Sequence, residues 1–135
     1  MSDMKDTARE FFASQDRAKG GPAAELLTSD YVANVAGYPP MDLAGHGAFA
    51  GQFYVAFPDI VHTVSDTVEE DDKVAVRFRI TGTNTGPLMG QPATGKPIDI
   101  GALGIMRFVG GKVAEIHSEF DLMGMMQQIG ALPTP

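Results

Sequence analysis

The stretch IDIGALGIMRFVGGKVAEIHSEFDLMGMMQQIG, residues 98–130, decides how this chain is read. Ile98 to Val109 and Lys112 to Asp121 are two apolar-rich runs joined by Gly110-Gly111, a pair suited to the backbone of a tight hairpin turn. Side chains of a strand alternate between its faces. His117, Glu119 and Asp121 therefore share one face of the second run, and Ile116 and Phe120 share the other. Alternation defines these two sets but leaves their direction open. The polar set can line a pocket, or it can meet solvent while Ile116 and Phe120 enter the core. Leu122 to Ile129 then reads as a Met-rich apolar helix, which Asp121 is suited to cap.

Upstream, Lys73 to Thr83 alternates cleanly, with Val74, Val76, Phe78 and Ile80 on one side and Arg77, Arg79 and Thr81 on the other. Ile60 to Glu70 precedes it across a turn at Glu70-Asp71-Asp72, and Gly86 to Pro97 is a Gly/Pro-rich connection. Before these four strands lie helical patterns. Asp3 to Lys19 has Ser2 or Asp3 as cap, Ala8, Phe11, Phe12 and Gln15 at helical spacing, and Gly20-Gly21-Pro22 as its stop. Ala23 to Leu27 reads as a short helix, Tyr31 to Val35 as a short extended or turn-like piece, and Gly37 to Gly45 as loop. Gly47 to Phe57 is a third helix, carrying Phe49, Phe53 and Phe57 at i, i+4 and i+8. Helices first, then an antiparallel meander and a closing helix, give one α+β domain over residues 1–135. Ile98 to Val109 is apolar on both faces, with Ile100, Met106 and Phe108 opposite Leu103, Ile105 and Val109. A second copy covering the outer face is expected, hence a homodimer, with Leu103, Ile105, Ile116 and Phe120 at the interface.

The chain has 17 acidic and 10 basic residues, a net charge of −7 and no cysteine. That balance disfavours nucleic acid and anionic membrane surfaces as partners. Thiolate metal sites, disulfides and cysteine nucleophiles are excluded. The start, MSDMKDTAREFF, lacks the pattern of a signal peptide, so a cytoplasmic location is expected.

Several marks recur in one order: Phe57-Pro58-Asp59, Thr83-Asn84-Thr85-Gly86, Gly90 to Gly95, Gly110-Gly111-Lys112, Asp121 and Gln128-Ile129-Gly130. In this order and spacing the chain resembles the SnoaL-like polyketide cyclases, also called ester cyclases. The resemblance implies the cone-shaped fold of nuclear transport factor 2 and ketosteroid isomerase, in which a curved antiparallel sheet wraps helices around a deep apolar cavity. It implies ring closure by intramolecular aldol condensation, without metal or organic cofactor, and an aspartate matching Asp121 as the acid/base. The chain departs from the pattern at Ala102 and Gly104, where the antibiotic cyclases carry Gln and His. It also has Asn84 where His is frequent, and His117 in place of an aromatic residue.

The expected catalytic residues are accordingly Asp121, with its carboxyl pKa raised by apolar surroundings and by Glu119, and His117 as proton relay or oxyanion donor. Asn34, Asn84 and Glu119 are the expected polar contacts to substrate. Phe53, Phe57 and Met106 would supply apolar wall, and the small Ala102 and Gly104 would enlarge the cavity. His46, between two glycines, reads as an exposed residue at a helix start. His62 alternates with Val64 and Val68 and has no partner in sequence. No metal site is expected, because His117, Glu119 and Asp121 lack a second cluster of ligands, and the glycine-rich 82–95 segment lacks phosphate-loop spacing. The function expected is cofactor-free acid/base catalysis on a small, largely apolar carbonyl compound. The alternative is a non-catalytic binding protein or dimerisation module of the same fold. Without a polar pair at 102 and 104, anthracycline-type polyketide esters are not expected to be cyclised.

Overall fold

In the computed structural model, which describes residues 3–134, the first helix α1 (Met4–Ala18) begins where the Asp3 carboxylate accepts the Asp6 N–H at 2.8 Å. It ends at Lys19, whose φ of 54° is left-handed. Between these caps, Ala8, Phe11, Phe12 and Gln15 form the buried stripe that the spacing predicts. Each Phe removed from water in this way contributes about 1.5–3 kcal/mol. Ser2, the other candidate cap, lies outside the described residues.

A single 3-10 turn at Ala24–Leu26 stands where a short helix is expected, and it leads into β1 (Leu27–Val35). Helix α2 (Leu43–Ala56) starts four residues before the sequence estimate. Its N-cap is Asp42, which accepts the Gly45 N–H at 2.8 Å. Strands β2 (Val61–Glu70), β3 (Lys73–Thr83), β4 (Pro97–Val109) and β5 (Lys112–Phe120) fall close to their expected bounds, and α3 (Leu122–Gln128) closes the chain. The β4–β5 turn has φ of 58° at Gly110 and 81° at Gly111, the conformation for which a Gly-Gly pair is suited.

The sheet is curved and unclosed, with five strands in the order β1-β5-β4-β3-β2. Four of the five form the expected meander. The fifth, β1, lies parallel to β5, pairing Ala33 with Ile116 and Asn34 with His117. One face packs on the helices. Val74, Val76, Phe78 and Ile80 of β3 meet Met106, Gly104, Ala102 and Ile100 of β4 across the ladder, and all of these are buried.

Strand β5 corrects the sequence reading. Arg107 pairs with Glu115 but Phe108 pairs with Val113, which leaves Ala114 as an extra residue, a bulge. Beyond it, Ile116, Ser118 and Phe120 face the helices and Glu115, His117 and Glu119 face outward. The two sets alternate as expected, but the apolar set is the one buried. Ile116 and Phe120 are therefore core residues rather than outer-face residues, because burying them removes far more apolar surface from water than burying the polar set would.

Candidate functional site

Between the helices and the inner sheet face lies a cavity of about 100 Å³, whose walls include Phe12, Phe53, Phe78, Ile80, Ile116 and Phe120. Polar side chains also line it: Gln15, His46, Tyr54, His62, Ser118 and Glu119. Neither histidine is where the sequence pattern pointed for chemistry.

His62, the second residue of β2, is held by Asp16 in the last turn of α1. Its Nδ1 lies 2.6 Å from Asp16 Oδ1, and its backbone N–H donates to Asp16 Oδ2 at 2.9 Å. The Tyr54 hydroxyl of α2 donates to the same Oδ1 at 2.6 Å. One carboxylate thus ties together α1, α2 and β2. Burial pushes the Asp16 pKa up, but the hydrogen bonds from His62 and Tyr54 outweigh it and hold the carboxyl below its usual range. Burial and this same hydrogen bond push the Tyr54 hydroxyl up. A carboxylate can only accept, so the His62 nitrogen facing it is Nδ1–H, and in the neutral ring the lone pair is then on Nε2. The ring stacks on Phe12, with centroids 5.4 Å apart, and lies 5.8 Å from Phe78.

His46 sits in the first turns of α2 with only 7% of its surface exposed. It is buried, not the exposed helix-start residue that its flanking glycines suggest. Its Nδ1 lies 2.9 Å from the hydroxyl of Tyr31 in β1, and its ring packs against Phe11. Burial lowers its pKa to about 4, so it is neutral near pH 7.

A sequence signal existed for each of these residues. His46, Phe49, Ala50 and Phe53 fall at i, i+3, i+4 and i+7, which is a core-facing stripe. Asp16 lies four residues after the buried Phe12, an acid placed on an apolar face.

The expected site residues are distributed otherwise. Asp121 is exposed and caps α3, accepting the Gly124 N–H at 2.8 Å. It does not enter the cavity. The His117 side chain is 63% exposed on the outer face, 3.7 Å from Glu115, which also pairs with Arg107 at 2.9 Å. Glu119 is exposed and borders both the cavity and the outer-face hollows. Asn34 donates to the Ile116 carbonyl at 3.3 Å and lines a hollow of the outer face with Leu103, Ile105 and His117.

Asn84 is fully buried but faces no cavity. It donates to the Gly86 and Ala56 carbonyls and accepts from Thr94, so it fastens the β3–β4 connection. At Gly86 a Cβ would sit 2.1 Å from the Val55 carbonyl oxygen, and this close approach requires glycine there. Phe53 lines the cavity as expected, whereas Phe57 and Met106 are fully buried core. Ala102 and Gly104 face the inside, but neither borders the cavity. A Cβ on Gly104 would meet Ile116 Cδ1 at 3.4 Å, so the space beside Gly104 admits a methyl group and is bounded by Ile116.

Among the described residues no group of three or more His, Asp or Glu side chains is arranged to hold a metal ion. Likewise, no helix is long and apolar enough to cross a membrane.

This architecture has known relatives. A family model described as SnoaL-like polyketide cyclase matches residues 3–129. The chain belongs to the SnoaL-like polyketide cyclase family. Among curated members, it is 28% identical over 140 residues to the aklanonic acid methyl ester cyclase DauD of Streptomyces sp. (strain C5), spanning all of this chain and 87% of that protein. The cyclase of the same name, DnrD of Streptomyces peucetius, is also 28% identical, over all of this chain and 97% of DnrD. Among solved structures, AclR of Streptomyces galilaeus superimposes with a TM-score of 0.85 at 26% identity, covering 96% of this chain and 97% of AclR. IdmH of Streptomyces antibioticus gives 0.81 at 28% identity, covering 96% of this chain and 99% of IdmH.

Proposed function

We propose that this family member closes a ring within a small, largely apolar carbonyl compound by cofactor-free proton transfer in the cavity under the sheet. One observation carries the reading: an imidazole oriented by a partly buried carboxylate borders a largely apolar cavity. His62 Nε2 takes a proton from the carbon next to a carbonyl. The resulting enolate carbon attacks a second carbonyl of the same molecule, forming the new C–C bond, and the alkoxide recovers the proton from His62 Nε2–H. Asp16 stabilises the imidazolium during that interval and keeps the ring in one tautomer, work that requires no transfer to the carboxylate itself. The aromatic walls keep water from quenching the enolate, and they strengthen every charge interaction inside. A volume of about 100 Å³ supports a compact substrate, since drug-sized ligands occupy roughly 300–1,000 Å³.

The test is exchange of α-hydrogens for deuterium in small diketones, followed by NMR, beside product analysis for ring closure. The wild type exchanges and cyclises, while His62→Gln does neither. Equal exchange by both proteins would remove His62 from the chemistry.

The outer sheet face supports a homodimer as the assembly of this enzyme, because Leu103 and Ile105 are 59% and 50% exposed there. Sedimentation at micromolar concentration checks it. A dimer that Ile105→Lys dissociates is expected, and a wild-type monomer refutes it.

A further inference from the structure

We propose that His46 is a second catalytic residue, fixed by Tyr31 with its proton on Nε2, and that this N–H donates to the oxyanion created when His62 removes the carbon proton. The inference rests on the acid/base reading of the cavity and adds the electrophilic half of that chemistry.

The support is geometric. Tyr31 and His46 are both buried, and among the described residues their side chains make one polar contact, the 2.9 Å approach of the Tyr31 hydroxyl to His46 Nδ1. A buried hydroxyl proton needs an acceptor, and an imidazole nitrogen bearing hydrogen is not one. Burial also raises the Tyr31 pKa, so the hydroxyl keeps its proton. The arrangement that satisfies both groups has Tyr31 donating to an unprotonated Nδ1, which leaves the His46 proton on Nε2. Among the described residues no buried side-chain nitrogen or oxygen lacks a hydrogen bond. His46 Nε2 makes none within the protein, so it reaches open space, and the open space its ring borders is the cavity.

The two histidines are therefore set in opposite tautomers around one cavity. His62 has an acceptor as its partner and presents a lone pair; His46 has a donor as its partner and presents N–H. A neutral imidazole is the better electrophile for this purpose, because it does not add a charge to an apolar site and its N–H is aimed before the reaction starts. Placement near the start of α2 opposes protonation further, since the helix N-terminus carries partial positive charge. Gln15 is buried and borders the same cavity, and its side-chain amide, which makes no protein hydrogen bond among the described residues, is left for the substrate.

The experiment reads tautomers directly, by two-bond 1H–15N correlation of the imidazoles in the wild-type protein at neutral pH. His46 is expected protonated on Nε2 and His62 on Nδ1, with the His46 pattern lost in Tyr31→Phe. The second arm titrates 4-nitrophenolate as an oxyanion mimic and nitrobenzene as its apolar control. His46→Phe should weaken phenolate binding by about 10- to 100-fold and leave nitrobenzene unchanged. On a substrate that the wild type cyclises, the same variant should lower kcat by about 10²–10³ with KM little changed. Protonation of His46 on Nδ1, or phenolate binding indifferent to His46→Phe, overturns the proposal, and the first readout does not depend on any variant folding. A wild type that neither exchanges α-hydrogens nor closes rings, yet shows both tautomers and the phenolate preference, overturns the ring-closure reading alone.

Discussion

Removing the His46 imidazole should change how stability depends on pH in one window. In the folded chain burial lowers its pKa from 6.5 to about 4. In the unfolded chain the ring is in water and protonates near its ordinary value. Between those limits the unfolded state binds the extra proton and the folded state does not, so acidification favours unfolding. His46 therefore has no effect on the pH slope above about pH 7. Stability is lost as pH falls from 6.5 towards 4, and the difference between the two values corresponds to about 3 kcal/mol.

The assay is urea unfolding of the wild type and His46→Gln at pH 7.5 and at steps down to pH 4.5. At neutral pH the wild type should be the more stable, since Gln leaves part of a packed ring site empty. Its advantage should shrink by about 2–3 kcal/mol on acidification, because only the wild type loses stability through this group. Carboxylates with lowered pKa values, such as Asp16 and Glu115, are common to both proteins and cancel in the difference. An advantage that stays constant across the range, or an NMR titration placing His46 near 6.5, would refute the reasoning.

Asp16→Asn keeps the size of the side chain but lets an amide face His62, which permits the wrong tautomer. A fall in kcat of about 10²–10⁴ is expected with KM little changed, and undiminished kcat sinks the positioning role. Asp121→Ala should cost about 1 kcal/mol in thermal or urea unfolding through loss of the α3 cap and leave turnover nearly intact. Collapse of activity in a folded Asp121→Ala protein would move the site to the outer face. Gly104→Ala should be tolerated and stabilising by about 0.5–1 kcal/mol, because the added Cβ meets Ile116 at ordinary contact distance; loss of ligand binding would show that the space matters. Aklanonic acid methyl ester, the substrate named for the relatives, should not be cyclised by this chain, and product detected by mass spectrometry at a rate comparable to theirs would contradict the cavity argument.

The local rules written into the chain were enough for the elements. Periodicity, caps and glycine turns located α1, the four-strand meander and α3 to within a residue or two, since each depends on neighbours in sequence. The order and spacing of the motifs also indicated the family, which the family match over residues 3–129 bears out. What the chain could not decide locally was direction. Alternation sorts His117, Glu119 and Asp121 from Ile116 and Phe120, but which set turns inward depends on the bulge at Ala114 and on the helices packed below. The parallel pairing of β1 with β5 joins segments more than eighty residues apart, as in the Asn34 to Ile116 bond, and no short pattern announces it. The same holds for the cavity chemistry. His62 finds Asp16 across 46 positions and His46 finds Tyr31 across 15, and each looked unremarkable by itself. A histidine's tautomer and pKa are set by the partner and the burial that folding brings to it, so only the tertiary structure could set His62 and His46 apart.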